Sequence, residues 1–469
     1  MSDTSPVALA FDLGSSSVRA VVLDAALRPV ATARRRTAIW QQADGTATID
    51  IEAYVAAVVS CTDELHETGA LRGVGTVAGS CQWHSLIPLD ADHRPLGPGL
   101  SWMDTRATPP PGTGPADPAD FHQRTGAWWH GLYWPVRIAW LRAQGVPARR
   151  WAGLPEYLAL RLLGEAATSI SAASGSGAMD TTTCRWDAEA LGLAGVDEAQ
   201  LPPIAPDDWR GRLRPEYARR WPDLATAVWA LPVGDGAASA VGTCCVPGET
   251  LSVTVGTSAA VRMICPGAPG VGDRVWRYRI DRSRSVVGVA YSAGGVLYQW
   301  VTQLVGDDPT DAELSSLAPG EHGLIVLPFH AGHRPPLPGT ATGTLHGLRL
   351  STTPLHIVAA TLEGTCHELA DGAALLCRPG TATPVLGGGA VGASQWFARR
   401  LAAAFGGRAL RSAYPEVGAV GAAMLATGLT PADRPEPVEA PDAEITAMAE
   451  AGRRHRRLRD LLTTLPLDR

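Results

Sequence analysis

The chain has 469 residues, 45% of them hydrophobic, with a formal net charge of −6. That length exceeds one compact core and predicts two large domains. The globular composition, the lack of an apolar run of about 18 residues and the negative balance speak against disorder, a membrane span and a nucleic-acid partner.

Residues 7–23 read as strand, turn, strand, with Gly14, Ser15, Ser16 and Ser17 in the turn. Residues 51–67 have helical apolar spacing, and 71–78 predict a strand. A segment rich in polar and aromatic side chains follows: Cys81-Gln82-Trp83-His84-Ser85, then Ser101-Trp102-Met103-Asp104-Thr105-Arg106, then a proline-rich loop over 107–119. Residues 122–144 contain Thr125-Gly126, His130 and Tyr133 before a helix, and 157–163 predict another helix. Residues 165–183, rich in Ser, Thr, Ala and Gly, predict loops and close packing.

The stretch 231–260 carries the most chemistry. Asp235 stands between Gly234 and Gly236 at the start of an Ala-rich segment, where a helix N-terminus would present it to a ligand. An apolar β-run then ends in Gly256-Thr257-Ser258, a turn whose amides and hydroxyls can hold phosphate oxygens. Further on come β-runs over 275–290, a Gly294-Gly295 turn entering a helix with Trp300, and a strand over 323–328. After Gly332-His333-Arg334 follow a helix over 355–373 and a strand entering Gly387-Gly388-Gly389. Helices over 394–405 and 416–423 precede the arginine-rich run 453–459, which predicts the solvated face of a terminal helix.

Two absences narrow the chemistry. All 40 Lys and Arg positions are arginine, which excludes the Gly-Lys-Ser/Thr phosphate loop, the strand lysine of protein kinases and Schiff-base catalysis. Eight cysteines without Cys-x-x-Cys spacing argue against a zinc site or disulfide framework. With no signal-peptide pattern at the N-terminus, they point to a cytoplasmic location.

The turn at Gly14 and the turn at Gly256 match: each follows an apolar strand, places hydroxyl residues after glycine and returns through Val-Arg. Lying about half the chain apart, they indicate a fold built twice. Five segments occur in order: Phe-Asp-Leu-Gly-Ser-Ser-Ser, Trp-His-Ser with Trp-Met-Asp-Thr-Arg, Gly-Asp-Gly-Ala-Ala, Val-Gly-Thr-Ser-Ala, and Gly-Gly-Gly-Ala. This set resembles the FGGY carbohydrate kinases of the actin-like ATPase superfamily, from Phe11 to about Ala426. The resemblance implies two actin-like (ribonuclease H-like) α/β domains, 1–243 and 244–469, with a central cleft. It also implies ATP and Mg²⁺ as cofactors and a small-molecule sugar or sugar acid as partner, with a homodimer allowed for. Trp83-His84-Ser85 and the Thr125 to Tyr133 stretch look most like gluconate kinases.

A sugar hydroxyl needs a base to accept its proton as it attacks phosphorus, and Asp235 is assigned that role by position and by resemblance. Asp12, at the end of the first strand, is the expected Mg²⁺ partner. Gly14, Ser15, Ser16, Ser17, Arg19, Gly256, Thr257 and Ser258 are expected at the phosphates, and Gly387, Gly388 and Gly389 at the nucleoside. Trp83, His84, Asp104, His130 and Tyr133 are expected at the sugar, with Asp104 offering two acceptors to vicinal hydroxyls and Arg137 or Arg262 open as partners for a substrate carboxylate. Several positions depart from the family pattern: Ser292-Ala293, His333, Ser169, and Arg399 with Ala403 on the helix after the glycines. The alternatives are a pentulose kinase of the xylulose type, another polyol or cyclitol kinase, and, outside enzymes, an actin-like switch or sugar sensor. About 45 residues after the last match are too few for the extra domain that a chaperone would need.

Overall fold

The computed structural model describes residues 5–330 and 342–464. In chain order its main elements are β1 (Pro6–Leu13), β2 (Ser17–Asp24), β3 (Pro29–Arg36), α1 (Ile51–Glu67), β4 (Thr76–Cys81), α2 (Trp134–Ala143) and α3 (Ile170–Gly175). There follow β5 (Val228–Trp229), β6 (Val233–Gly234), α4 (Asp235–Gly242), β7 (Thr250–Val255), β8 (Ala259–Pro266), β9 (Trp276–Arg279), β10 (Arg284–Tyr291), α5 (Gly295–Val305) and α6 (Pro354–Leu376). The last are β11 (Thr383–Gly387), α7 (Gln395–Ala404), β12 (Arg408–Arg411), α8 (Val417–Thr427), β13 (Glu436–Glu439) and α9 (Asp442–Thr464). They divide into two compact units. The first holds Met1–Gly242, Ile264–Val287 and Glu416–Asp433, and the second holds Thr243–Met263, Gly288–Pro415 and Arg434–Arg469.

The first unit is built on a sheet ordered β5-β4-β1-β2-β3, with β6 also bonded to β4. β1 and β2 form an antiparallel hairpin, while β4 runs parallel to β1. Residues of β1 are apolar on both faces because α1 packs on β2 and β3 while α8 packs on β1 and β4. α1 starts at Asp50, whose carboxylate accepts from Ala53 N at 2.9 Å. α4 and α8 approach so closely that a Cβ on Gly421 would stand 2.7 Å from Gly242 N, so glycine at these two positions sets the helix separation.

The second unit repeats the plan. β7 and β8 form the antiparallel hairpin, and β11 runs parallel to β7 with Val253 opposite Leu386. The core gathers around Val253, Val261, Leu369, Phe397 and Leu401. Beneath α6 lies a buried charge network. Glu363 accepts from Arg400 Nε at 3.2 Å and faces His322 Nε2 at 3.0 Å; Glu368 faces His455 Nε2 at 2.8 Å and accepts from Arg459 at 3.0 Å.

Three sequence expectations are corrected. The strand placed at 71–78 begins at Thr76, because Gly69 and Gly73 take positive φ of 74° and 92° and hold the preceding residues in turns. The stretch 165–183 is not all loop: α3 forms there, capped by Ser169 Oγ accepting from Ala172 N at 3.1 Å. The arginine-rich tail is not only a solvated face, since His455 is fully buried and Arg459 is drawn in by Glu368 and Asp371.

Candidate active site

Parallel pairing of β1, β4 and β6 sets Asp12 opposite Ser80 and Gly234 opposite Cys81, so the ends of these strands carry Asp12 and Asp235 side by side. Burial, the largest cause, raises the Asp12 pKa from 3.8 to about 6; Arg19 opposes the rise, and Glu416 and Asp235 add to it. Arg19 Nη1 donates to Asp12 Oδ2 at 3.0 Å and to Glu416 Oε2 at 2.9 Å, joining two carboxylates 404 positions apart. Asp235 opens α4, and its Oδ1 accepts from Gly236 N at 2.9 Å. In the first hairpin turn Gly14 N donates to Ser17 O at 3.1 Å. Ser15 Oγ accepts from Trp102 Nε1 at 2.8 Å and donates to Gln82 Oε1 at 3.4 Å.

A hard divalent cation fits this end of the site. Mg²⁺ is held by one or two carboxylates together with water and phosphate, not by an all-protein cage. Asp12 offers such a carboxylate: its Oδ1 and the buried, unpaired hydroxyl of Ser80 both border the point where a Cβ on Gly418 would stand.

The expected sugar segment is brought together by packing. Trp83 is buried, donates from Nε1 to Ser171 O at 3.0 Å, and packs edge-on against Trp276 and Tyr278. His84 takes a positive φ of 69°, and its Nδ1 lies 2.7 Å from Gly175 O, so Nδ1 carries the ring hydrogen donated there. His130 has the opposite tautomer: its Nδ1 accepts from Leu132 N at 3.0 Å, leaving the hydrogen on Nε2. Burial first, and then Arg137, push the His130 pKa down to about 4, so the ring is neutral. Tyr133 Oη meets Tyr278 Oη at 2.8 Å, and the His84 ring stands edge-on to both tyrosines.

Two expectations fail here. The Asp104 side chain is fully enclosed: its oxygens accept from Ala47 N at 3.0 Å, from Arg106 N at 3.2 Å, and from the Arg106 guanidinium at 2.7 and 3.1 Å. It holds the turn before residue 47 and aims Arg106, and so does not present two acceptors to a sugar. Arg137 is likewise buried, donating to the carbonyls of Gly131, His84 and Asp104, and is no carboxylate clamp.

In the second unit the other expected groups gather. Gly256 N donates to Ser258 O at 2.9 Å, and Gly295 N donates to Gly256 O at 2.7 Å, bringing the Gly256-Thr257-Ser258 turn against the start of α5. Gly388, at φ 93°, lies so near β7 that a Cβ would stand 2.5 Å from Val255 O. Arg399 Nε lies 3.3 Å from Glu444, Ala403 is buried, and Arg262 Nη1 donates to Thr254 Oγ1 at 2.6 Å. His333 and its neighbours lie outside the described residues.

This duplicated arrangement, a phosphate-type hairpin beside a parallel strand in each unit, has a match in known proteins. Residues 7–242 match the N-terminal domain, and residues 251–428 the C-terminal domain, of the FGGY family of carbohydrate kinases. The chain belongs to that family. It is 26% identical to the gluconokinase of Bacillus subtilis (strain 168) over 391 residues, covering 77% of this chain and 75% of the other. It is 30% identical to the xylulose kinase of Streptomyces rubiginosus over 463 residues, covering 92% and 90%. The crystal structure of gluconate kinase from Lactobacillus acidophilus superposes with a TM-score of 0.86 at 22% identity, covering 97% of this chain and 98% of that one. As an FGGY kinase the chain is a phosphotransferase acting on a sugar hydroxyl. No helix among the described residues is long and apolar enough to cross a membrane.

Three residues that contact the candidate site have no clear mark in the sequence. Glu416 was visible only as the start of a small-residue helix, Trp102 as part of a motif, and Tyr278 not at all, because its partner Tyr133 lies 145 positions away.

Proposed function

We propose that this FGGY kinase phosphorylates the terminal hydroxyl of gluconate or a closely related open-chain sugar acid, giving 6-phosphogluconate, with ATP and Mg²⁺. The observation that carries the reading is the placement of Asp235 directly after Gly234, which packs against Trp83 of the sugar segment. Asp235 accepts the proton of the hydroxyl as that oxygen bonds to the γ-phosphorus and the bond to the departing ADP oxygen breaks. When bound, Mg²⁺ neutralises charge on the phosphates, and Asp12 would hold it through Oδ1 or a water. Arg19 keeps the Asp12 carboxylate in place through Oδ2. Ser15, Ser16 and Ser17 in the first unit, and the glycine turns at 256 and 387–389 in the second, supply amides and hydroxyls for the phosphates and close backbone approach for the nucleoside.

Trp83, His84, His130 and Tyr133 form the sugar-binding set. The neutral His130 ring carries its hydrogen on Nε2 and donates it to a substrate oxygen. Sequence support for the acid comes from the Trp83-His84-Ser85 and Thr125 to Tyr133 stretches and from the gluconokinase relative. A second reading, a pentulose substrate, is favoured by the neutral His130 ring and by the xylulose kinase relative. Comparing kcat/KM for gluconate, xylulose and glycerol tests the choice. Gluconate is expected to lead, and xylulose ahead by more than about tenfold, roughly 1.4 kcal/mol, replaces it.

A further inference from the structure

Strand β4 and the residue that follows it carry two buried donors without acceptors: Ser80 Oγ and Gln82 Nε2. Ser80 is fully buried and Gln82 nearly so. They sit two residues apart, and side chains at that spacing share one face of an extended chain. On this face the neighbour across the ladder is Asp12. Leaving a buried donor without a partner is costly, and such groups are few in folded proteins. For Gln82 a neighbour is at hand, because Tyr54, whose hydroxyl donates to Gly14 O, borders the amide. Ser80 is the sharper case.

The space in front of Ser80 is kept open from the opposite side. A Cβ on Gly418, in the first turn of α8, would stand 3.0 Å from Ser80 Oγ and 3.1 Å from Asp12 Oδ1. The unused carboxylate oxygen and the unpaired hydroxyl therefore border one small gap, and any side chain at 418 would crowd both. Arg19 occupies Oδ2 and leaves Oδ1 on the gap side. A hydroxyl and a carboxylate oxygen facing a common gap have the donor set of a hydrated divalent cation, which keeps several waters and takes few protein oxygens directly.

We infer that Ser80 is a cation-site residue: its hydroxyl holds a water of a hydrated Mg²⁺ beside Asp12, in the gap that Gly418 keeps open. The inference rests on the reading of Asp12 as the Mg²⁺ partner and adds a residue that the sequence gave no reason to choose. Ser80→Ala removes only the hydroxyl, and Gly418→Ala fills the gap from the other side. Both are compared with Asp12→Asn by titrating Mn²⁺ into the full-length enzyme with ADP, followed by electron paramagnetic resonance. The Mg²⁺ midpoint for activity and the melting temperature of the ligand-free protein are measured in parallel.

Ser80→Ala and Gly418→Ala are each expected to weaken Mn²⁺ binding at least fivefold. Ser80→Ala should also raise the Mg²⁺ midpoint by the same factor, with the melting temperature of the ligand-free protein unchanged or higher, since an unpaired hydroxyl has been removed. Mn²⁺ affinity within twofold of wild type in Ser80→Ala, while Asp12→Asn loses it, overturns the role of Ser80 alone. Unchanged affinity in Asp12→Asn overturns the reading of Asp12 on which it rests.

Discussion

Adding one methyl group at Gly175 should separate packing from propensity. Gly175 ends α3 without a positive φ, so alanine is conformationally acceptable there and by helix propensity alone would stabilise by about 0.5–1 kcal/mol. Its Cβ, however, would stand 2.6 Å from Cγ and Nε1 of Trp83. Cδ1 of the indole lies nearer still, so reaching ordinary contact requires the ring to move by more than about 1 Å, which stretches its 3.0 Å bond to Ser171 O beyond hydrogen-bonding range. Overpacking costs about 1–3 kcal/mol, and a stranded buried N–H about 1–3 more. After the propensity gain the net loss is roughly 1–5 kcal/mol, or about 2–10 °C at about 2 °C per kcal/mol for a unit of this size. Because Gly175 O also receives His84, the sugar KM should rise at least tenfold while ADP affinity stays within twofold. Calorimetry and steady-state kinetics read both, with Gly75→Ala as control because its Cβ meets open space. A variant with wild-type melting temperature and sugar KM would refute the packing argument.

Asp235→Asn should lower kcat by about 10²–10⁴ and leave ADP binding intact; turnover within a few-fold of wild type removes it as base. With a pKa near 4, His130 keeps one protonation state from pH 5.5 to 8, so substituting it with glutamine should leave the pH dependence of the sugar KM unchanged. A step near pH 6.5 that vanishes in the glutamine variant refutes this. His367, lowered by burial from 6.5 to about 3, is protonated first in the unfolded chain, so stability present above pH 6.5 is lost as the pH falls toward 3. Between pH 7 and 4.5 that loss is about 2.5 kcal/mol at about 1.36 per unit. His367→Gln should therefore show a smaller drop between urea midpoints at the two pH values; equal drops in both proteins would show that His367 does not contribute.

What the sequence revealed were local patterns with a geometric cause. Glycine followed by hydroxyl residues after an apolar strand marks a hairpin, and two copies of that pattern disclosed the repeated α/β plan. Asp235 between two glycines was legible because a helix start next to a strand end is a local event. The misreadings arose where distant partners decide. Asp104 looked like an open carboxylate because nothing in Trp-Met-Asp-Thr-Arg says that Arg106 folds back onto it and Ala47 N caps it. Arg137 looked like a spare cation until three backbone carbonyls, two of them from other segments, converged on it. The Ser80 hydroxyl gave no signal, since what singles it out is the missing side chain of Gly418 on a helix more than 300 residues later.

The interleaving of the two units also sets a schedule for synthesis. The sheet of the first unit is complete once Gly242 has left the ribosome, but α8, which supplies Ala422 to the patch with Ala78 and Ala238, arrives only after Glu416. At roughly 5–20 residues per second, the intervening stretch takes on the order of ten to thirty seconds to make. For that interval an apolar sheet face and the Asp12 end of β1 stand without their covering helix. A nascent chain stalled there would be a client for chaperones, and cutting the gene after residue 242 would yield a fragment lacking one wall of its own core.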